Sequence, residues 1–180
     1  ERALPAHDLR HVPDVAPRGP RPTATEAEIM VEPILGLPVV KDLIVDMEPF
    51  MAHYRAVMPY FVNDDPVPED GRERRQSPED RAIFDDTTKC ILCAACTAAC
   101  PINRARPDYL GPAALLRAFR YIFDSRDSIT KERLEKIDTD DGVWGCKTMW
   151  RCTEVCPKEI PITQCLGQIK RAVKQQEKDK

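Results

Sequence analysis

Hydrophobic positions follow no period over the first 30 residues. From residue 41 onward they recur at helical spacing in segment after segment. The opening stretch, ERALPAHDLRHVPDVAPRGPRPTATEAEIM, holds five Pro, and with MVEPILGLPVV it reads as an extended Pro-rich arm over residues 1–40, its apolar end docked. Between Lys41 and Val62, the residues Leu43, Ile44, Met47, Phe50, Met51, Tyr54 and Met58 return at steps of three and four. That spacing predicts an amphipathic helix, with Pro49 marking a kink or a restart. Residues 63–76 are a charged loop. Ser77-Pro78-Glu79-Asp80 reads as a helix start, with Ser as N-cap and acids in the first turn. Gly111-Pro112 opens ALLRAFRYIFDS, Ser128 is expected to cap ITKERLEKID, and Pro161 begins ITQCLGQIKRAVKQQEKDK. Nothing from Lys89 onward alternates as a strand does. The expected fold is mainly α, with one helical domain over residues 41–180.

Composition narrows the function classes. With 27 basic and 30 acidic side chains in 180 residues, net −3, charge gives no support to a nucleic-acid partner. No apolar run approaches the length that spans a bilayer. The chain starts at Glu1 without an initiator Met, as removal of a transit peptide, or equally a truncated start, would leave it. No acid–base triad, phosphate loop or catalytic nucleophile is visible. The count that changes the picture is 8 Cys.

Seven of them fall in two clusters. The first is Cys90-Ile-Leu-Cys93-Ala-Ala-Cys96-Thr-Ala-Ala-Cys100-Pro101, the C-x2-C-x2-C-x3-C-P run of bacterial ferredoxins. Two-residue gaps let one tight loop aim three thiolates at three corners of a cubane. The fourth thiolate, displaced by one residue, serves the other cluster in two-cluster proteins. The second cluster, Cys146-Lys-Thr-Met149-Trp-Arg-Cys152-Thr-Glu-Val-Cys156-Pro157, is the same run with Met149 where the second Cys would stand. Crossing the last ligands assigns Cys90, Cys93, Cys96 and Cys156 to a 4Fe–4S cluster. Cys100, Cys146 and Cys152 are left for a second cluster, and a cubane short of one ligand loses that iron, giving 3Fe–4S. Structural zinc favours C-x2-C pairs separated by a longer loop, a poor match to this run. Disulfides would require every cysteine to avoid its near neighbours. Cys165, on the helical stripe with Leu166 and Ile169, reads as a buried apolar thiol.

The segments LPVVKDLIVDMEPF, CILCAACTAACP, GPAALLRAFRYIFDSRD and CKTMWRCTEVCPKEI resemble the iron–sulfur subunit of succinate:quinone oxidoreductase and its fumarate reductase relatives, over about residues 30–175. The resemblance covers that family's C-terminal half. It implies a helical ferredoxin-like domain that passes electrons from a flavoprotein subunit, through 4Fe–4S and 3Fe–4S clusters, to ubiquinone beside membrane anchor subunits. The expected location is the matrix face of the mitochondrial inner membrane, or the cytoplasmic face of a bacterial one. The family's first half holds a 2Fe–2S cluster, but no Cys precedes Cys90. Either another polypeptide carries that cluster or the chain is a fragment; the split is the favoured expectation, with a separate 2Fe–2S-carrying chain as partner and the Pro-rich arm as its holder.

By the same resemblance Pro101, Met149 and Trp150 flank the quinone. Arg104, Ala105 and Lys147 stand where succinate dehydrogenases generally place a Trp pair and a His, so Arg104 or Lys147 is the candidate donor to a quinone carbonyl. These departures and the short CPINRARPDYLGP spacing look more like the quinol–fumarate reductase branch, the alternative reading. A zinc-stabilised assembly module is the alternative from outside redox chemistry. Small residues around Cys96 let backbone N–H groups approach sulfur, and Lys147 and Arg151 would raise the potential of the three-iron cluster. The basic residues Lys170, Arg171, Lys174, Lys178 and Lys180 read as a solvated helix end.

Overall fold

The computed structural model describes residues 30–179, and from Pro33 onward they form one unit. Most of the expected arm, residues 1–29, lies outside the described residues. About half of the described chain is helical. The elements are a hairpin of β1 (Val39–Lys41) and β2 (Ile44–Val45), then α1 (Glu48–Ala56), α2 (Pro78–Thr88), α3 (Ala95–Ala98), α4 (Pro101–Ala105), α5 (Gly111–Ile122) and α6 (Thr130–Ile137). A 3-10 turn (Val143–Gly145), α7 (Arg151–Glu154) and α8 (Ile162–Lys178) complete the chain.

The core is built around α5. Ala113, Ala114, Leu115, Leu116, Ala118, Phe119 and Ile122 are all buried, which wraps apolar surface around the helix rather than along one stripe. A helix of that kind has to be covered on several sides. The long helix α8 packs on it through Leu166 and Ile169, while α1, α2 and α6 close its other faces. Phe84 of α2 is fully buried beneath the Arg120 guanidinium, which lies 3.9 Å from the ring centroid. Ser77 caps α2 as expected, its Oγ accepting the Asp80 N–H at 3.1 Å.

Two expectations are corrected. The helix foreseen over residues 41–62 is shorter at both ends, because Leu43 and Ile44 belong to a hairpin and are exposed. Asp42 takes φ +50° in the two-residue turn, a conformation that Asp tolerates better than most residues and that this turn requires. Pro49 fits only the first turn of a helix, so α1 begins at Glu48, whose N–H donates to Asp46 Oδ1 at 2.8 Å. Pro59 then ends any continuation after Met58, which sits at φ +51°. Ser128 also does not cap α6. Its Oγ accepts the Asp64 N–H at 3.2 Å, and Asp127 Oδ1 takes the Ile129 N–H instead, also at 3.2 Å.

Asp127 anchors the link between α5 and α6. Arg133, 1 % exposed, grips it with two hydrogen bonds of 3.0 and 2.8 Å. The same guanidinium donates to the carbonyls of Met58 and Tyr60, and the Val62 N–H donates to Asp127 Oδ2 at 3.1 Å. One buried ion pair thereby ties the segment after α1 to the far side of the core. Nearby, burial alone would raise the Asp124 carboxyl, but hydrogen bonds from Arg126 and Arg120 outweigh it and hold the group well below the usual carboxylate range.

Removing one partner of such a pair leaves a buried charge uncompensated. Arg133→Ala is expected to cost about 3–5 kcal/mol in urea unfolding. Arg55→Ala, which breaks the exposed pair with Glu48, should cost under about 1 kcal/mol. Equal losses for the two variants would contradict the role given to Arg133.

Candidate iron–sulfur centre

Two loops carry the cysteines, and their backbones repeat. In the first, Leu92 and Ala94 take φ +55° and +60°; in the second, Thr148 and Trp150 take +56° and +62°. These are the third and fifth positions counted from Cys90 and from Cys146. Left-handed conformation is uncommon for residues other than glycine, so four occurrences in register mark one local structure built twice. Ala94 and Trp150 each precede a one-turn helix, α3 and α7, which present Cys96 and Cys152. Met149 occupies the place that Cys93 fills in the first loop, and it is exposed.

The loops line two cavities. One is lined by Cys90, Cys93, Cys96 and Cys156, with Ala113 and Leu116 of α5 and Ile160 as its apolar wall. The other is lined by Cys100, Cys146 and Cys152, with Pro101, Tyr109, Pro112 and Leu166. Lys147, Met149, Trp150 and Arg151 border the second cavity, and of these Met149 and Trp150 are large apolar side chains left half exposed. Arg104 does not line either cavity. Its stem lies where a Cβ on Gly36 would sit 3.5 Å from Arg104 Cγ. Cys165 is buried in the core of α8, away from both cavities, and burial pushes its thiol up to about 11.

The donor set suits clusters of several irons. No disulfide joins any of the eight cysteines. Among the described residues no three His, Cys, Asp or Glu side chains converge closely enough for a single metal ion, whereas one zinc would draw its sulfurs to within about 2.3 Å of itself. The cavities instead set their thiols around a volume. The Thr148 N–H donates to Cys146 Sγ at 3.4 Å, and Thr163 Oγ1 shares a hydrogen bond with Cys152 Sγ at 3.4 Å. Burial pushes the Cys96 thiol up to about 12 and raises Cys100 and Cys152 as well. These thiols therefore give up their protons when metal takes them.

Several residues of the site are not visible in the motifs. Tyr109 is buried against the second cavity; desolvation first, then the neighbouring Cys146, Cys100 and Cys152, holds its hydroxyl well above the usual range. Gly145 makes room for it, since a Cβ there would stand 2.5 Å from Tyr109 Cδ2. Arg117 of α5 donates to the Cys90 carbonyl at 2.9 Å, and Lys170 of α8 donates to the Cys146 carbonyl at 2.7 Å. Lys170 is thus turned inward, whereas the composition of α8 had placed it on a solvated end. Its only sequence signal is its place on the stripe of Leu166 and Ile169.

Residues 86–160, the stretch that carries both cysteine loops, match the family model described as a 4Fe-4S dicluster domain. The relatives narrow the family. The chain is 44 % identical over 149 residues to the succinate dehydrogenase iron-sulfur subunit of Coxiella burnetii, covering 82 % of this chain and 63 % of that protein. It is 40 % identical to the subunit of the same name from Paracoccus denitrificans, covering 81 % of this chain and 56 % of that protein. It is 42 % identical to succinate dehydrogenase [ubiquinone] iron-sulfur subunit 1, mitochondrial, of Oryza sativa subsp. japonica, covering 78 % and 50 %. Among solved structures, the Mycobacterium smegmatis Sdh1 complex in the apo form superposes with a TM-score of 0.72 at 27 % identity, over 81 % of this chain and 61 % of that one. Over most of its own length the chain is similar to succinate dehydrogenase iron–sulfur subunits, and it spans about half to two-thirds of the length of the curated relatives it matches.

Gly145→Ala is expected to lower the melting temperature measurably, since overpacking at such a contact costs about 1–3 kcal/mol. Gly167→Ala, where an added Cβ meets nothing within 4 Å, should leave it unchanged or raise it slightly.

Proposed function

We propose that this chain is the electron-transfer subunit of a succinate:quinone oxidoreductase. Cys90, Cys93, Cys96 and Cys156 hold a 4Fe–4S cluster, and Cys100, Cys146 and Cys152 hold a 3Fe–4S cluster. The observation that carries the reading is the division of seven cysteines, four and three, between two cavities, with the last cysteine of each loop lining the other loop's cavity. Bound there, such clusters supply one-electron transfer. The chain's own residues exclude water from the first cavity with Ala113, Leu116 and Ile160, place the Thr148 N–H and the Thr163 hydroxyl against sulfur, and space the two sites.

In this reading electrons derived from succinate arrive from a flavoprotein subunit and leave to ubiquinone beside membrane anchor subunits. The ligands of any 2Fe–2S centre in that relay lie outside these 180 residues. The half-exposed Met149 and Trp150, with Pro101 and Lys147, supply an apolar border and a cation beside the second cavity, which suits a quinone ring and its carbonyl. Lys147 and Arg151 add positive charge there and favour the reduced state. Among the described residues no helix is long and apolar enough to cross a membrane. In this reading the chain sits beside the anchor subunits at the matrix face of the mitochondrial inner membrane, or at the cytoplasmic face of a bacterial one.

Low-temperature EPR of the purified complex, with iron counted per chain, tests the assignment. About seven irons and an oxidised 3Fe–4S signal are expected. Met149→Cys restores the missing thiolate and should convert that signal into a four-iron centre. Zinc in place of iron would overturn the reading.

A further inference from the structure

We infer that Arg117 sets the reduction potential of the cluster in the first cavity, as a positioning residue whose uncompensated charge favours the reduced state. The inference rests on the reading that this cavity holds a 4Fe–4S cluster.

Arg117 lies on α5, the helix that also supplies Ala113 and Leu116 to the cavity wall. Its Nη2 donates to the Cys90 carbonyl at 2.9 Å, at the first thiol of the loop. Its Nε is buried and has no hydrogen-bond partner. Other arginines around the core are matched: Arg120 and Arg126 share Asp124, and Arg133 is held by Asp127. Among the described residues no carboxylate forms an ion pair with Arg117. A half-buried cation without a counter-ion acts through low dielectric on whatever negative charge it faces.

The natural recipient of that field is the thiol-lined cavity. Reduction adds one electron to a cluster whose four thiolates already make it anionic, with no ligand or proton leaving. A nearby fixed cation therefore stabilises the reduced form more than the oxidised form. The hydrogen bond to the Cys90 carbonyl keeps the guanidinium at this place and fixes the orientation of the Cys90 peptide. The second loop has the same arrangement, with Lys170 on the Cys146 carbonyl at 2.7 Å. In both cases the cation comes from the long helix that follows its loop.

The test is a redox titration of the intact complex followed by EPR of the reduced 4Fe–4S centre, with iron per chain measured alongside. Arg117→Gln keeps an N–H donor and removes the charge. It should load the same iron and shift the reduction equilibrium about tenfold toward the oxidised form, a fall of about 59 mV for one electron. Arg117→Lys, which keeps the charge, should stay within about threefold of the unaltered protein, and the 3Fe–4S potential should be unchanged in both. The inference is overturned if Arg117→Gln leaves the potential in place, if Arg117→Lys shifts as far as Arg117→Gln, or if Arg117→Gln fails to load the cluster. Absence of a reduced 4Fe–4S signal from the unaltered protein would instead remove the cluster reading itself.

Discussion

The exchange of Cys100 and Cys156 between the two loops is the constraint from which most of this structure follows. Cys156 ends the second loop yet lines the cavity begun at Cys90, and Cys100 ends the first loop yet lines the cavity begun at Cys146. Neither cavity has its full wall until segments more than 40 residues apart in the chain lie side by side. The helix α5 lines both, with Pro112 at the second cavity and Ala113 and Leu116 at the first, as a rod apolar on most of its circumference. Burial of Leu115, Leu116 and Phe119 against α2 and α8 is the driving force that holds the exchange in place.

The polar interior serves the same geometry. Asp127 and Arg133 are both buried and satisfy each other, but the pair also takes up the backbone groups of residues 58–62, which have no regular partner. A buried ion pair is seldom a net source of stability. Here it fixes where an irregular segment crosses the core, and so where α1 can lie against α5. Asp124 does similar work with Arg120, Arg126 and Gln76, so the turn leaving α5 is pinned by charge on one side and by Phe84 on the other.

How much of this was legible beforehand depended on how local the cause was. Cysteine spacing was readable because a cluster dictates short-range geometry, and Met149 stood out by its place in that spacing. The caps at Ser77 and the breaks at Pro112 and Pro161 were readable for the same reason. The hairpin was not. Leu43 and Ile44 fall in step with Met47 and Phe50, so a helical period fits them as well as a strand does, and only the Asp42 turn and Pro49 decide otherwise. Arg117 and Lys170 were invisible because the carbonyls they hold lie 27 and 24 residues earlier in the chain. Arg104 sits near the cysteines in sequence, yet α4 carries its stem toward Gly36 instead of the second cavity.

The small hairpin before α1 bears on how this chain meets other molecules. Val39, Val40, Leu43 and Ile44 are all exposed on it, which gives it a greasy outer surface. Its strands are only three and two residues long, and the register shifts between Val39 and Lys41. Such a ribbon offers almost no row of free amides and carbonyls for a foreign strand to continue. Whatever adheres there must do so by the fit of side chains, which discriminates by shape, and the hairpin gives little opening to the indiscriminate backbone pairing that seeds fibrils.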